Sequence, residues 1–299
     1  MVEKKEIVSH ETEQKTPRRP KHTIVDFFIL FVIVAMLGVI GYSGYKLIYV
    51  KQRAEKNLET QSRIQSLFYE RVEEAVEDSK AESREESSGV GIGISSDERI
   101  DPENPWPEEL RECDFEKLLE VNQDTKGWIC MPAAGVDHPV VQAEDNDYYL
   151  HRNFYGDYEF AGTLFMDYRC HADTSPCLVI YGHHMTDGTM FGNLSDYLDP
   201  EVGQANPYFW YITEDHLYKC EIFSTFITNV DEDYLRVYFD DAEDFLNFVE
   251  WARERSEYTF PEVEVKDGDQ ILLLSTCNSW RIADGSGRQV LYAKMTEYK

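Results

Sequence analysis

Three features of the sequence predict a mostly β fold, a closed barrel or a sandwich with inserted helices. Short β-branched or aromatic runs, bounded by Gly, Pro, Asn or Asp, recur between Gly127 and Met295. Within that region only residues 241–255 carry a clear helical repeat, with Phe245, Phe248, Val249 and Ala252 on one face. Hydrophobic residues make up 42% of the 299-residue chain, enough for one cored domain plus extensions.

The extensions lie at the N-terminus. Residues 1–23 read as a polar cytoplasmic tail. Residues 27–45 contain no charge and are rich in Phe, Ile, Val and Leu. As a helix they would span roughly 28 Å, close to the hydrocarbon thickness of a bilayer. Residues 24–50 are therefore expected to form a single transmembrane anchor in a lipid bilayer. No A-x-A-like cleavage site follows, which argues against a removed signal peptide. The basic residues are balanced: Lys15, Arg18, Arg19 and Lys21 before the span, Lys46, Lys51, Arg53 and Lys56 after it. Charge does not choose the orientation; the short tail and long following domain favour N-terminus inside, domain outside. Residues 51–86 are expected as an amphipathic helix marked by Ile64, Leu67, Phe68, Val72, Ala75 and Val76, serving as a stalk. Residues 87–107, with Ser, Gly and three prolines, read as a flexible linker, so that 51–107 forms stalk and linker and 108–299 the folded domain.

In that domain a short helix is expected at 109–121. Strands are expected at 127–131, 136–141, 162–167, 177–181, 217–228, 270–275 and 289–295. Acidic residues outnumber basic ones 57 to 29, for a net charge of −28. Such a chain lacks the basic footprint that nucleic-acid phosphates require, and no nucleic-acid partner is expected. The six cysteines are irregularly spaced along a long chain, which excludes a small disulfide scaffold. Cys170 and Cys177 fit either a loop-closing disulfide or two free thiols.

The chemistry centres on Ile271-Leu272-Leu273-Leu274-Ser275-Thr276-Cys277. Four apolar residues make a buried strand, and the cysteine arrives where it runs out, on a rigid element suited to a nucleophile. Ten residues, 278–287, separate it from Arg288, which opens the next strand. Paired as a hairpin, the two strands would bring Cys277 and Arg288 side by side. A permanent cation there would favour a thiolate and could stabilise an oxyanion. A thiol nucleophile also needs a proton donor for the leaving amine, most often histidine. Tyr181-Gly182-His183-His184 ends another apolar strand and supplies two candidates that spacing does not distinguish.

The wording of these segments resembles the sortase family. Leu274-Ser275-Thr276-Cys277 resembles its T-L-x-T-C signature, Tyr181-Gly182-His183 its strand-end histidine, and Arg288 stands where the sortase arginine follows the cysteine. The resemblance selects His183 over His184 and Arg288 over Arg281. It extends to class B sortases through Pro139-Val140-Val141-Gln142, Asp145 to Leu150, Arg152 to Gly156, Phe165 to Arg169 and Asp187 to Gly192, with the helix at 241–255 matching the class B insertion. It covers about 108–299. Two positions depart from the pattern: Leu273 replaces the first Thr of the signature, and Asn278 stands where an acidic residue often follows the cysteine.

The resemblance implies a closed eight-stranded β-barrel with N-terminal helices and a helix inserted before the cysteine strand. It implies a cysteine transpeptidase with catalytic residues His183, Cys277 and Arg288. Substrate would bind through Asn146, Leu150, Tyr234, Leu235 and Ser275. The substrates would be surface proteins bearing a C-terminal sorting signal of N/S-P-x-T-N/G type, cut after Thr and joined to a peptidoglycan-precursor or pilin amine. No cofactor and no metal is implied. A papain-like reading fails on order, since His183 precedes Cys277. A zinc site from Cys170, His171, Cys177, His183 and His184 lacks a C-x-x-C pair. The non-enzymatic rival is a catalytically silent surface module on a membrane stalk.

Overall fold

The computed structural model describes residues 24–81, 114–278, 282 and 284–298. The expected tail 1–23, the linker 87–107, the opening of the helix expected at 109–121 and Arg281 lie outside them. The chain divides into two compact units, one ending at Arg53 and one starting at Ala54. Helix α1 (Ile24–Ala81) contributes to each. In the first unit its side chains are exposed and almost wholly apolar from Phe27 to Tyr45, a stretch long and apolar enough to cross a bilayer.

The second unit holds eight strands among the described residues: β1 (Thr125–Met131), β2 (Val136–Val141), β3 (Leu164–Met166), β4 (Cys177–Tyr181), β5 (Tyr208–Ile212), β6 (Leu217–Asn229), β7 (Gln270–Cys277) and β8 (Gly287–Glu297). They close into a barrel in the order β1-β2-β3-β4-β7-β8-β6-β5. Two neighbouring pairs are parallel, β2 with β3 and β4 with β7; the rest are antiparallel. Strands β4 and β7 explain their own sequences. Leu178, Val179, Ile180 and Ile271 through Leu274 are all buried, on both faces of the wall, so their runs are continuous rather than alternating.

The expected strands are all present, with β7 reaching Cys277 and β8 beginning at Gly287. An eighth, β5, was not among the seven read from the sequence. Its Tyr-Phe-Trp-Tyr-Ile run has high β propensity but shows no apolar–polar alternation, because nearly every side chain in it is buried. Helix α2 (Phe115–Val121) precedes β1, and the short α3 (Pro200–Ala205) precedes β5. Helix α4 (Ala242–Glu254) opens on the Asp241 side chain, which accepts the Asp244 N–H at 2.9 Å. Its four predicted apolar residues are buried against β6 and β8, with Phe248 edge-on to Tyr292.

The segment expected as a stalk has a further role: its barrel-side face is buried. Asn57, Gln61, Ile64 and Phe68 recur at helical spacing and all face inward. Phe68 stacks on Trp128 of β1 with centroids 3.9 Å apart and planes 7° from parallel. Beside them Asp137 accepts hydrogen bonds from Trp128 Nε1 at 2.7 Å, Tyr69 Oη at 2.8 Å and Gln65 Nε2 at 3.1 Å. Burial raises the Asp137 carboxyl above its ordinary range, and the Trp128 and Tyr69 donors oppose that rise. Sequence periodicity identified the stripe at Ile64 and Phe68 but carried no sign of what covers it.

Cys170 and Cys177 are buried free thiols in the main core. The Val179 N–H points at Cys170 Sγ (3.4 Å), and burial pushes that thiol up to about 12. Truncating Phe68, which is fully buried on the Trp128 ring, should destabilise this unit by about 3–5 kcal/mol. Denaturant unfolding of Phe68→Ala against wild type reads that cost; a loss under about 1 kcal/mol would mean the helix is only loosely seated.

Candidate active site

Strand pairing builds the site. In the parallel pair β4–β7, Tyr181 stands opposite Ser275. The Gly182 N–H donates to the Ser275 carbonyl at 3.3 Å, the bond that completes this last pair. A Cβ on Gly182 would come within 2.4 Å of Leu164 Cδ2 and 2.7 Å of Phe191 Cδ2, so only glycine fits between β4 and its neighbours. Two residues beyond Ser275, Cys277 closes β7, and two residues beyond Tyr181, His183 follows the end of β4, so both leave the paired strands at the same end of the barrel wall. On the other side of β7, Cys277 pairs directly with Arg288 of β8. The three side chains chosen by resemblance therefore sit at one mouth of the barrel.

Cys277 is exposed, whereas the six residues before it are buried. His183 is half-buried, and its Nε2 lies 2.8 Å from the Leu150 carbonyl. A carbonyl only accepts, so Nε2 carries the proton and Nδ1 holds the lone pair of the neutral ring. Two rings flank the imidazole: His151 with centroids 5.3 Å apart, and Phe160 at 5.8 Å and 4° from parallel. Burial lowers the His183 pKa below the ordinary histidine value; His151 adds to the lowering and the Leu150 carbonyl opposes it. The ring is therefore neutral at pH 7. Arg288 donates from Nη1 to the Gly285 carbonyl at 3.0 Å and the Gly287 carbonyl at 2.8 Å, fastening it to its own loop. His184, the alternative left open by spacing, pairs instead with Met190 across a turn.

The five residues expected to line the substrate groove fall into distinct positions. The Tyr234 phenol is buried; burial raises it, while the nearby Ser275 hydroxyl and Arg288 pull it down and Cys277 pushes it up. Its backbone carbonyl accepts the Tyr292 hydroxyl at 2.9 Å. Ser275 Oγ is buried close to that phenol without aligning into a hydrogen bond. Leu150 reaches the site through its carbonyl, and Leu235 is half-buried against the main core. Asn146 is engaged at both ends of its amide: Nδ2 donates to Asp167 at 3.0 Å, and Oδ1 accepts the Tyr168 N–H at 3.0 Å.

That bond belongs to a network which sequence reasoning did not single out. Asp167 is fully buried and accepts Arg169 through Nε and Nη2 at 2.8 Å each, and the Tyr181 hydroxyl at 2.8 Å. Burial alone would raise its pKa, but Arg169, Tyr181 and Asn146 together more than offset this, and the net shift is downward. Tyr181 lies two residues before His183, so the network braces the end of β4. The signal was a charged pair, Asp167 and Arg169, immediately after a buried strand.

Comparison with known proteins agrees with this architecture. The Sortase domain family matches residues 129–296. Sortase B of Listeria monocytogenes is 37% identical over 182 residues, covering 60% of this chain and 72% of that protein. Sortase B of Staphylococcus aureus is 30% identical over 182 residues, covering 60% and 74%. Among solved structures, a Staphylococcus aureus sortase B–substrate complex superposes with a TM-score of 0.58 at 29% identity, covering 62% of this chain and 85% of that one. The family and relatives matched define a class of cysteine transpeptidases that act in cell-wall anchoring. The chain belongs to the sortase family, on its class B branch.

Two measurements probe the site. Asp167→Asn removes the buried charge on which the partly exposed Arg169, Tyr181 and Asn146 converge and should cost about 1–3 kcal/mol. Because the folded pKa of Asp167 is depressed, its contribution is present above the ordinary aspartate value and is lost as pH falls through the folded value. Wild-type melting temperature should thus fall more steeply than that of Asp167→Asn as pH drops below about 4; parallel curves would contradict this. For His183, Phe160→Ala admits water to the ring and should move its pKa upward toward about 6.5, read by NMR titration of the labelled imidazole. A downward or absent shift would show that burial by Phe160 is not the cause.

Proposed function

We propose that Cys277 is the nucleophile, His183 the acid–base group and Arg288 the electrophilic partner of a sorting-signal transpeptidase. The direct opposition of Cys277 and Arg288 across β7–β8 carries this reading, and His183 supports it by following the end of β4, whose Tyr181 pairs with Ser275 two residues before Cys277. Cys277 Sγ attacks the carbonyl carbon of the Thr in the sorting signal. As the C–S bond forms, neutral His183 takes the thiol proton, and the carbonyl oxygen gains negative charge beside Arg288. Nη1 of that guanidinium is spent on its own loop, and the rest of the group faces the Tyr234 phenol, where it can serve substrate. Collapse of the tetrahedral intermediate expels the amine, which receives the proton from His183, and leaves a thioacyl enzyme. An incoming cell-wall amine then attacks the thioester, giving its proton to His183, which returns it to the departing Cys277 sulfur.

The substrate class is a surface protein with an N/S-P-x-T-N/G-like signal, and the acceptor a peptidoglycan-precursor or pilin amine. The Staphylococcus aureus relative is known as a sortase B–substrate complex, which supports a substrate site on this barrel. Tyr234 and Ser275, adjoining Cys277 and Arg288, would form its floor, with Leu150 and Leu235 as apolar wall. Asn146 would act through Asp167, since its amide is engaged there. Anchoring through residues 24–50, with the tail inside and the barrel outside, fits the exposed apolar face of α1 in that stretch.

The test uses the full chain in detergent, N-P-x-T-N and N/S-P-x-T-G peptides, and an amine acceptor. Wild type should cleave one peptide class and form a mass-detectable thioacyl adduct on Cys277; Cys277→Ala should lose turnover by at least about 10³-fold. Equal behaviour of the two proteins would instead identify a silent surface module.

A further inference from the structure

Helix α1 reaches the loop that carries His183. Asn57 Nδ2 donates to Thr189 Oγ1 at 2.9 Å, across 132 residues of sequence, with both side chains buried. Thr189 Oγ1 in turn donates to Asp187 Oδ1 at 2.7 Å, and the same carboxylate oxygen accepts the Thr189 N–H at 3.1 Å. Asn57 is itself steadied from its own helix, since Gln61 Nε2 donates to Asn57 Oδ1 at 3.3 Å.

Thr189 is not a remote point on the barrel. The loop leaves β4 after Tyr181 and closes on itself when the Phe191 N–H donates to the His183 carbonyl at 3.0 Å. Inside that ring His184 pairs with Met190. Met190 is buried and has φ 54°, a left-handed conformation that a side chain with a Cβ adopts only when its surroundings impose it. Its immediate neighbour, Thr189, is the residue α1 grips. The same stretch of helix faces Asn153 and Glu159 across a gap of only about 10 Å³, on the segment that ends at Phe160, one of the two rings stacked on His183. The Asn57–Thr189 bond is itself buried, so losing it leaves two buried polar groups without their partner.

We propose that Asn57 is a positioning residue for the transfer reaction: through Thr189 it fixes the loop from His183 to Phe191, and with it the imidazole relative to the Cys277 sulfur. The proposal rests on the catalytic roles assigned above. It gives the buried face of α1 a function beyond stability, since the bond ends on the loop that sets the acid–base group.

The experiment compares wild type, Asn57→Leu, Gln61→Leu and Thr189→Ser as full chains in detergent. Two readouts are taken: steady-state kinetics on the peptide that wild type cleaves, and NMR titration of the labelled His183 imidazole. Asn57→Leu should lower kcat roughly tenfold with KM changed less than about twofold, because misplacing a catalytic group harms the chemical step more than binding. Its His183 titration should shift from the wild-type midpoint. Thr189→Ser keeps the hydroxyl, and Gln61→Leu keeps the Asn57–Thr189 bond; both should stay within about twofold of wild-type kcat. Should Asn57→Leu fail to fold, Asn57→Asp keeps the shape and the Gln61 contact while removing the donor, and is read in the same way. An unshifted His183 titration overturns the proposal, as does an equal loss of kcat in Asn57→Leu and Gln61→Leu. If wild type cleaves no peptide, the catalytic reading fails, while the titration still decides whether Asn57 sets the environment of His183.

Discussion

The site depends on the parallel pairing of β4 with β7. These strands are far apart in sequence, and the intervening chain supplies two further barrel strands and α4. Side chains alternate along a strand, so a slip of one residue would exchange the faces and send His183 away from Cys277. What forbids the slip is burial on both sides. Five-residue β4 and the apolar run of β7 are covered inside by the barrel core and outside by packed elements. Gly182 adds a steric stop, because the wall leaves no space for a Cβ there. The hairpin β7–β8 then fixes Arg288 by direct opposition to Cys277. Cys277 and Arg288 thus acquire their arrangement from backbone pairing, and His183 is brought to the same end of the wall by the strand that precedes it.

Much of this was legible because each strand is a local pattern. Runs such as Cys177-Leu178-Val179-Ile180-Tyr181 and Ile271-Leu272-Leu273-Leu274 report their burial directly. The hairpin after Cys277 could also be anticipated from spacing. The parallel match of Tyr181 with Ser275 could not, since no local signal encodes which distant strands meet; there the family resemblance did the work. The strand β5 escaped because alternation fails when both faces of a short aromatic run are buried. The Asp167–Arg169–Tyr181 network escaped for a different reason. Asp167 and Arg169 are ordinary loop residues in sequence, and only the fold brings Tyr181 from β4 onto the carboxylate.

The electrostatics of the site follow from the same packing. Among the described residues, the neighbours recorded for His183 are a carbonyl, a second imidazole and a phenyl ring, with no carboxylate that would hold it charged. Burial beside His151 favours the neutral ring, and the Leu150 carbonyl selects the Nε2–H tautomer. In the proposed reaction a neutral imidazole can receive the thiol proton and release it to the leaving amine within one turnover. The large net negative charge of the chain contributes little at this point, since exposed charges are screened over about 8–10 Å at physiological salt.

An apolar helix stripe alone would not define where α1 sits. Ridge-and-groove packing tolerates sliding and rotation at modest cost, and hydrophobic burial is non-directional. The interface instead carries two polar fixtures at separate heights, Gln65 and Tyr69 on Asp137, and Asn57 on Thr189. Moving the helix by one turn would leave each of these buried groups unpaired, at about 1–3 kcal/mol apiece. Such groups contribute little net stability when satisfied but penalise every alternative seating, which is how buried polar residues specify register. One fixture holds the helix to the wall at β1 and β2. The other ends on the histidine loop, so the seating of α1 and the placement of the acid–base group are set by a single docking geometry.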